Sequence, residues 1–300
     1  MKLVFGPVNS RRFGLSLGVD LSPFTKQCNF DCVYCELSPK KPMIAQNQVV
    51  EVDEILKQIN DTLKSGVEFD FLTLTANGEP SLYPHLKELI LSLKKSLKNK
   101  KILILSNGTA VLDENKFNTL LLFDVVKFSL DSAIQKTFYR IDRALKEINL
   151  ELLIKKMADF QRTFKGELVM EILVVKGLND NEKEFLALNK ALAKIKPLRV
   201  DISSIDRPPA YAVKRVSEER LNELATLINS VPVLIAKRTY NKQSLEFSKE
   251  ELLKSLHLRP QSELDINALF SDKSKQNLEL LIKEEKIKIL DLAGIKFYKA

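Results

Sequence analysis

Between Leu15 and Ser204, six short runs rich in β-branched and aliphatic residues alternate with longer runs whose apolar residues recur every three or four positions. The strand-like runs are Leu15 to Leu21, Phe69 to Thr75, Ile102 to Ser106, Val125 to Leu130, Leu168 to Val175 and Val200 to Ser204. The helix-like runs are Val52 to Leu63, Pro84 to Leu97, Glu114 to Leu122, Leu150 to Thr163 and Glu182 to Ile195. Parallel strands need a crossover between them, and a helix in each crossover makes this an α/β pattern with a parallel sheet. The alternation alone fits either an incomplete (β/α) barrel or an open doubly wound sheet. A helix-like run, Ser217 to Ile228, and a strand-like run, Val231 to Ile235, end this part. With 300 residues, 9 glycines, 11 prolines and no internal repeat, collagen-like, solenoid and linker-dominated architectures are set aside.

All three cysteines fall within Cys28-Asn29-Phe30-Asp31-Cys32-Val33-Tyr34-Cys35, just after the first predicted strand. An odd count argues against disulfides, and inert buried thiols would be scattered through the core. A zinc site needs a fourth ligand, and the only two histidines, His85 and His257, are remote in sequence, with Asp31 nearer. A redox pair at Cys32 and Cys35 leaves Cys28 unexplained. An iron–sulfur cubane uses all three thiolates and leaves one iron open to a substrate or cofactor.

The C-x3-C-x2-C spacing, with Tyr34 before the last cysteine, resembles the signature of radical S-adenosylmethionine (radical SAM) enzymes. Phe5-Gly6-Pro7-Val8-Asn9-Ser10-Arg11-Arg12-Phe13-Gly14 and Leu17-Gly18-Val19-Asp20 resemble the opening of a subgroup related to wyosine-type radical SAM Fe–S oxidoreductases. The resemblance implies a [4Fe-4S] cluster on Cys28, Cys32 and Cys35, with S-adenosyl-L-methionine chelated to the open iron. An electron from a donor such as flavodoxin or ferredoxin then cleaves the cofactor to methionine and a 5'-deoxyadenosyl radical, which abstracts hydrogen from a substrate. It also favours a partial (β/α)6 TIM-like barrel over residues 1–240, with the site at the C-terminal ends of its strands.

By the same resemblance, Tyr34 lies near the adenine. Asn77, Gly78 and Glu79 stand where the family has a Gly-Gly-Glu-Pro-like turn that contacts the cofactor's amino group, with Asn77 replacing the first glycine. Ser106 and Asn107 end the third predicted strand, while Ser129 and Asp131 end the fourth, where the ribose and carboxylate are held. Val175 is expected on the adenine side. Asp131, Asn179 and Asp180 also suit helix caps. Beyond the cofactor, Asp201, Ser203, Ser204 and Asp206 lead to Arg207, the substrate-side candidate, and Arg11 and Arg12 either reach an acidic substrate or lie at the surface.

Past Phe247 the pattern becomes three helices and a hairpin, which resembles a winged helix over residues 247–300. Helix starts are expected at Ser248 and, after Arg259-Pro260, at Ser262; a third helix runs from Lys273 to Glu285, and strands Ile287 to Leu290 and Ile295 to Tyr298 flank Gly294. Its charges nearly balance, so protein contact or substrate positioning is expected rather than a grip on duplex DNA. The whole chain carries a net charge of +8 and a pI near 9.2. That charge is compatible with RNA, and wyosine-forming relatives modify a tRNA guanosine, although no cysteine remains for a second cluster. No apolar run approaches about 20 residues and no signal-peptide core is present, which places a monomer in the cytoplasm with no membrane partner. The competing readings are a non-enzymatic Fe–S sensor that binds DNA through the winged helix, and a thiol oxidoreductase.

Overall fold

Helices fill the crossovers as expected, and they make seven of the eight strands of the main sheet parallel. The computed structural model describes residues 2–10, 12–97, 99–235, 245–258, 260–292 and 295–300. Arg11, Arg259, Gly294 and the expected boundary at residue 240 lie outside the described residues. The strands are β1 (Val4–Ser10), β2 (Gly14–Asp20), β3 (Phe71–Thr75), β4 (Lys101–Ser106), β5 (Val125–Ser129), β6 (Glu167–Val174), β7 (Arg199–Ser204) and β8 (Val233–Ile235). Their spatial order equals their sequence order. A doubly wound sheet reverses its strand order at a switch point, so this order is that of a TIM-like barrel wall.

The expected set of six barrel strands is corrected at one edge: β1, antiparallel to β2, was not anticipated. Gly6 and Pro7 interrupt its pattern, and proline is tolerated because β1 is an edge strand. Crossover helices are α1 (Val52–Lys64), α2 (Leu86–Ser96), α3 (Glu114–Leu120), α4 (Gln135–Ile141), α5 (Leu150–Thr163), α6 (Glu182–Ile195) and α7 (Glu218–Ala225). Asn149, Asn181 and Ser217 cap the last three by accepting from backbone N–H groups. The cap of α6 is therefore Asn181, not Asn179 or Asp180, and the residue preceding α4 is Ile134, not Asp131.

Each strand has an apolar and a polar face. Leu17, Leu72, Leu74, Ile102, Ile104, Val126, Phe128, Met170, Ile172, Val200 and Ile202 pack in the core with the helices. Their alternating neighbours Ser16, Thr73, Lys127, Ser129, Glu171, Asp201 and Ser203 point to the opposite side, the barrel lumen. Ser16 and Thr73 meet there, hydroxyl to hydroxyl, at 2.5 Å.

A second core of Leu252, Leu256, Ile266, Phe270, Leu278, Leu281 and Ile287 gathers α8 (Lys249–Leu258), α9 (Glu263–Leu269) and α10 (Asp272–Lys283). A small antiparallel sheet in the order β10 (Lys288–Leu292), β11 (Ile295–Lys299), β9 (Gln261–Ser262) goes with them. Ser248 with Glu251 and Ser262 with Asp265 form the reciprocal bonds of capping boxes. Leu245 bridges to Phe270 and its carbonyl accepts from Ser274 Oγ at 2.9 Å, so this unit begins before Phe247. Among the described residues no helix is long and apolar enough to cross a membrane.

Candidate functional site

The segment between β2 and α1 carries the cysteines, and backbone bonds fix it over the C-terminal ends of the strands. Gln27 pairs with Gly78 in a parallel bridge: the Gln27 N–H donates to Asn77 O at 2.9 Å and the Glu79 N–H donates to Gln27 O at 3.0 Å. Gly78 has φ +141°, and a Cβ there would lie 2.0 Å from the Gln27 oxygen, so no other residue fits. Asn29 donates to Thr109 Oγ1 at 2.7 Å and accepts from Asn107 Nδ2 at 2.6 Å, which ties the loop to the end of β4. Between the cysteines, buried Asp31 accepts from Lys26 Nζ at 2.6 Å, from the Lys40 N–H at 3.2 Å and from the Tyr211 hydroxyl.

All three thiols are free and partly buried. The Phe30 N–H donates to Cys28 Sγ at 3.4 Å, and the Cys32 thiol donates to Asp142 Oδ1 at 3.5 Å. Burial pushes Cys28 up to about 12 and holds Cys32 and Cys35 above the usual thiol range. Lys26 opposes this at Cys28 and Cys35, but it is already paired with Asp31. Three thiolates here need more positive charge than the protein supplies, and an iron–sulfur centre supplies it to soft sulfur donors. Among the described residues no His, Cys, Asp or Glu groups converge tightly enough to hold a metal ion. His85 precedes α2, and His257 lies in α8 of the second core.

The other expected cofactor residues fall into two groups. The first group joins strand ends to one another. Asn77 is bound through its own N–H and Nδ2 to Asp20 at 3.0 and 2.8 Å, joining the ends of β2 and β3. The buried Glu79 carboxylate accepts from the Ser81 N–H at 3.0 Å, Ser106 Oγ at 2.7 Å and the Asn107 N–H at 2.7 Å, joining β3 to β4. Burial pushes Glu79 up, and those donors counter only part of it. Val175 is buried, and its N–H donates to Asn179 Oδ1 at 2.7 Å. Asn179 in turn joins the ends of β5 and β6, because its Nδ2 donates to Asp131 O at 2.7 Å and Leu173 O at 2.9 Å.

Tyr34, Ser129, Asp131 and Arg207 instead line one cavity of about 190 Å³ that continues inward to Arg12 and Glu171. The Tyr34 hydroxyl donates to Asp131 Oδ2 at 2.5 Å, and the Leu173 N–H donates to Asp131 Oδ1 at 2.7 Å. Burial raises Asp131 to about 6 and pushes neighbouring Asp142 well up, where the charge of Asp131 adds to it. Arg207 is paired with Glu36 of the cysteine loop. Arg12 is not a surface residue: its Nη2 meets Glu171 at 2.8 Å and its Nε lies 3.4 Å from Asp201. Lys127 joins the same carboxylates at 3.0 and 3.3 Å, and Arg199 meets Asp201 at 2.9 Å. Burial lowers Lys127, whereas Glu171 is held below the usual carboxylate range because Lys127 and Arg12 overcome its burial. Sequence reasoning missed Lys127 and Glu171. The signal was a charge inside each strand, Lys127 between Val126 and Phe128 and Glu171 between Met170 and Ile172.

Residues 22–188 match the sequence pattern of the Radical SAM superfamily. Over its full length the chain is 39% identical to a UPF0026 protein of Helicobacter pylori strain J99, 98% of which is covered. Streptococcus suis SuiB bound to precursor peptide SuiA shares the fold with a TM-score of 0.59 at 17% identity, over 79% of this chain and 53% of that one. TYW1 with a bound lysine-pyruvate adduct does so with a TM-score of 0.51 at 18% identity, over 71% of this chain and 72% of that one.

Proposed function

The chain belongs to the radical SAM superfamily, within the UPF0026 proteins, and from that premise we propose that Cys28, Cys32 and Cys35 hold one [4Fe-4S] cluster at the barrel mouth. S-adenosylmethionine then binds against Tyr34, Ser129 and Asp131. Enzymes of this superfamily use both cofactors, and this chain is a radical SAM enzyme. The observation that carries the site assignment is the Tyr34–Asp131 hydrogen bond, which links the cysteine loop to the wall of the lumen cavity.

When bound, cluster and cofactor supply an electron and a carbon radical that takes hydrogen from a substrate. The protein's own residues fix and shield that chemistry. Gln27, Gly78, Asn29 and Asn107 hold the loop in register with the strand ends, and Lys26 places positive charge beside Cys28 and Cys35. Glu79 locks β3 to β4 and acts as a positioning residue. The segment after β7 crosses the loop through Arg207 to Glu36, the Ala210 N–H to Cys35 O at 2.8 Å and Tyr211 to Asp31, which narrows the mouth against water.

A small electron donor such as flavodoxin or ferredoxin is the expected partner. A tRNA substrate is supported by the overall charge of +8, by the likeness to the wyosine-type subgroup and by the appended C-terminal unit. Residues 1–240 are read as the radical SAM core, and the unit expected over 247–300, which starts by Leu245, as a winged-helix domain. The order helix, strand, helix, helix, strand, strand and the separate core of Leu252, Phe270 and Leu281 support that reading. Its α10 mixes Lys273, Lys275 and Lys283 with Asp272 and Glu279, which favours protein contact or substrate positioning over DNA binding.

The test is anaerobic reconstitution with iron and sulfide, then dithionite reduction with S-adenosylmethionine and chromatography for 5'-deoxyadenosine. Product should form with the native chain and be absent when all three cysteines are alanine. An intact cluster in Cys32→Ala overturns the ligand assignment, and a native cluster without product overturns the cofactor assignment.

A further inference from the structure

Ile44 at 77% and Phe24 at 53% are the two most exposed large apolar side chains among the described residues, and both belong to the segment that carries the cysteines. Loose chain would explain such exposure, but this segment is pinned. The Met43 N–H donates to Cys28 O at 2.8 Å, the Lys40 ammonium donates to Thr25 Oγ1 at 2.9 Å, and Gln27 Oε1 accepts from the Asn47 and Gln48 N–H groups at 2.8 and 3.0 Å. Phe24 therefore adjoins a residue bonded to Lys40, and Ile44 adjoins a residue bonded to a cysteine. None of Phe24, Lys40, Lys41 and Ile44 lines the lumen cavity, so this patch lies apart from the side read as the cofactor's. Its charge is positive. Between residues 21 and 50 the carboxylates are Asp31 and Glu36, and each is already matched, Asp31 by buried Lys26 at 2.6 Å and Glu36 by Arg207. Lys40 and Lys41 exceed that balance, and so does Arg143, whose Nε lies 3.6 Å from the paired Asp31. Of the groups beside Arg143, Asp142 is buried against Cys32, and Lys146 and Glu147 offset one another. An apolar centre with a charged rim has the composition of a docking surface rather than of a solvated loop.

We propose that Phe24, Ile44, Lys40 and Lys41 form the surface on which a small acidic flavodoxin docks to reduce the cluster. The proposal rests on the radical-enzyme reading, which requires one electron for each cleavage. All three cysteines of the chain serve one cluster in that reading, none is left for an internal relay, and the electron therefore comes from outside. It leaves the anionic flavin hydroquinone, which becomes the neutral semiquinone, and enters the cluster; no proton moves and no bond to iron forms or breaks. The lumen side then holds S-adenosylmethionine, which leaves the side with Ile44 to the carrier. A flavin ends in an apolar dimethylbenzene edge that matches Phe24 and Ile44, and an acidic carrier surface matches the lysines. Electron-transfer encounters bury little area, so two apolar side chains and a few charges suffice.

The experiment measures binding of labelled, oxidised flavodoxin to the reconstituted, S-adenosylmethionine-loaded enzyme by fluorescence anisotropy, beside the 5'-deoxyadenosine formed with reduced flavodoxin or with dithionite. Binding should be one-to-one, weaken as salt rises, and fall roughly tenfold in Ile44→Asp and in Lys41→Glu, each of which sets a carboxylate against an acidic partner. Leu198→Ser, just before β7 at the opposite ends of the strands and 51% exposed, should leave binding unchanged. Dithionite needs no docking surface, so product formed with it should stay at the native level in both charge variants, whereas product formed with flavodoxin falls with binding. No saturable flavodoxin binding, an unchanged affinity in both Ile44→Asp and Lys41→Glu, an equal loss in Leu198→Ser, or tighter binding of a [2Fe-2S] ferredoxin or a basic cytochrome c overturns the proposal. So does a dimer of the enzyme that Ile44→Asp dissociates, or unfractionated tRNA that displaces flavodoxin and itself loses affinity in the same variants. The two readings fail separately: product with dithionite but no effect of the variants on flavodoxin defeats only the docking surface, and no product with dithionite defeats the radical-enzyme reading.

Discussion

Gly78 is the residue on which the cysteine loop hangs. Its φ of +141° and the 2.0 Å approach that a Cβ would make to Gln27 O leave no room for alanine. Gly78→Ala should therefore break the Gln27 bridge, cost about 1–3 kcal/mol and lower the iron retained after reconstitution, read by thermal melting and iron analysis. Asp131 gives a pH prediction. Its folded pKa, raised by burial to about 6, lies above an unfolded value of about 4. Between those values the folded state binds more protons at Asp131, so the contribution of this group to stability falls as pH rises from about 4 to about 6, and Asp142, pushed well up beside it, extends the fall above. Asp131→Asn should flatten that slope by up to about 3 kcal/mol in urea unfolding of the apo protein, and an unchanged profile would assign the slope elsewhere. The sequence displayed Asn77, Gly78 and Glu79 as a turn with a glycine replaced. It did not display why, because the partner of Asn77 is Asp20, 57 residues away, and two of those of Glu79, Ser106 and Asn107, are at the end of the next strand.

At the level of elements, periodicity found what periodicity can encode. Helices α5 and α6 were legible to the residue from their long amphipathic runs, although the cap of α6 is Asn181 rather than the expected Asn179 or Asp180. Helix α4, with seven residues, is too short to establish a period, and the segment from Asp206 to Tyr211 that crosses the cysteine loop has none. Strands β5, β6 and β7 were found, but the meaning of their central charges was not. Parallel strands buried on both faces normally read as continuous apolar runs, and Lys127, Glu171 and Asp201 break each run at a lumen-facing position. Removing one member should expose that arrangement energetically. Lys127→Met leaves two buried carboxylates with less compensation and should cost about 3–5 kcal/mol. Combining it with Glu171→Leu should cost less than the sum of the single changes by about 1–3 kcal/mol, measured by urea denaturation. Additivity within about 0.5 kcal/mol would mean that the pair is not coupled.

For the whole molecule, the choice between a barrel and a doubly wound sheet lay beyond sequence alternation, which is the same in both; only strand order separates them, and here it runs from β1 to β8 without reversal. The chain then builds a second core whose members, from Leu252 to Ile287, are all distinct from those of the barrel. A unit of roughly fifty residues buries a smaller share of its surface than a large barrel does and is correspondingly marginal. Calorimetry of the intact chain should therefore show two transitions, the lower belonging to the C-terminal unit. Because Leu245 and Glu246 bond to Phe270 and Lys273, the cut that isolates the barrel falls earlier, after residue 240. That truncation should remove the lower transition, move the upper one by no more than about 2 °C, and leave iron content and 5'-deoxyadenosine formation intact. A single merged transition, or loss of the cluster on truncation, would instead make the C-terminal unit a structural support of the barrel. Retained cleavage with lost turnover of a substrate would place its role at the substrate rather than at the cofactor.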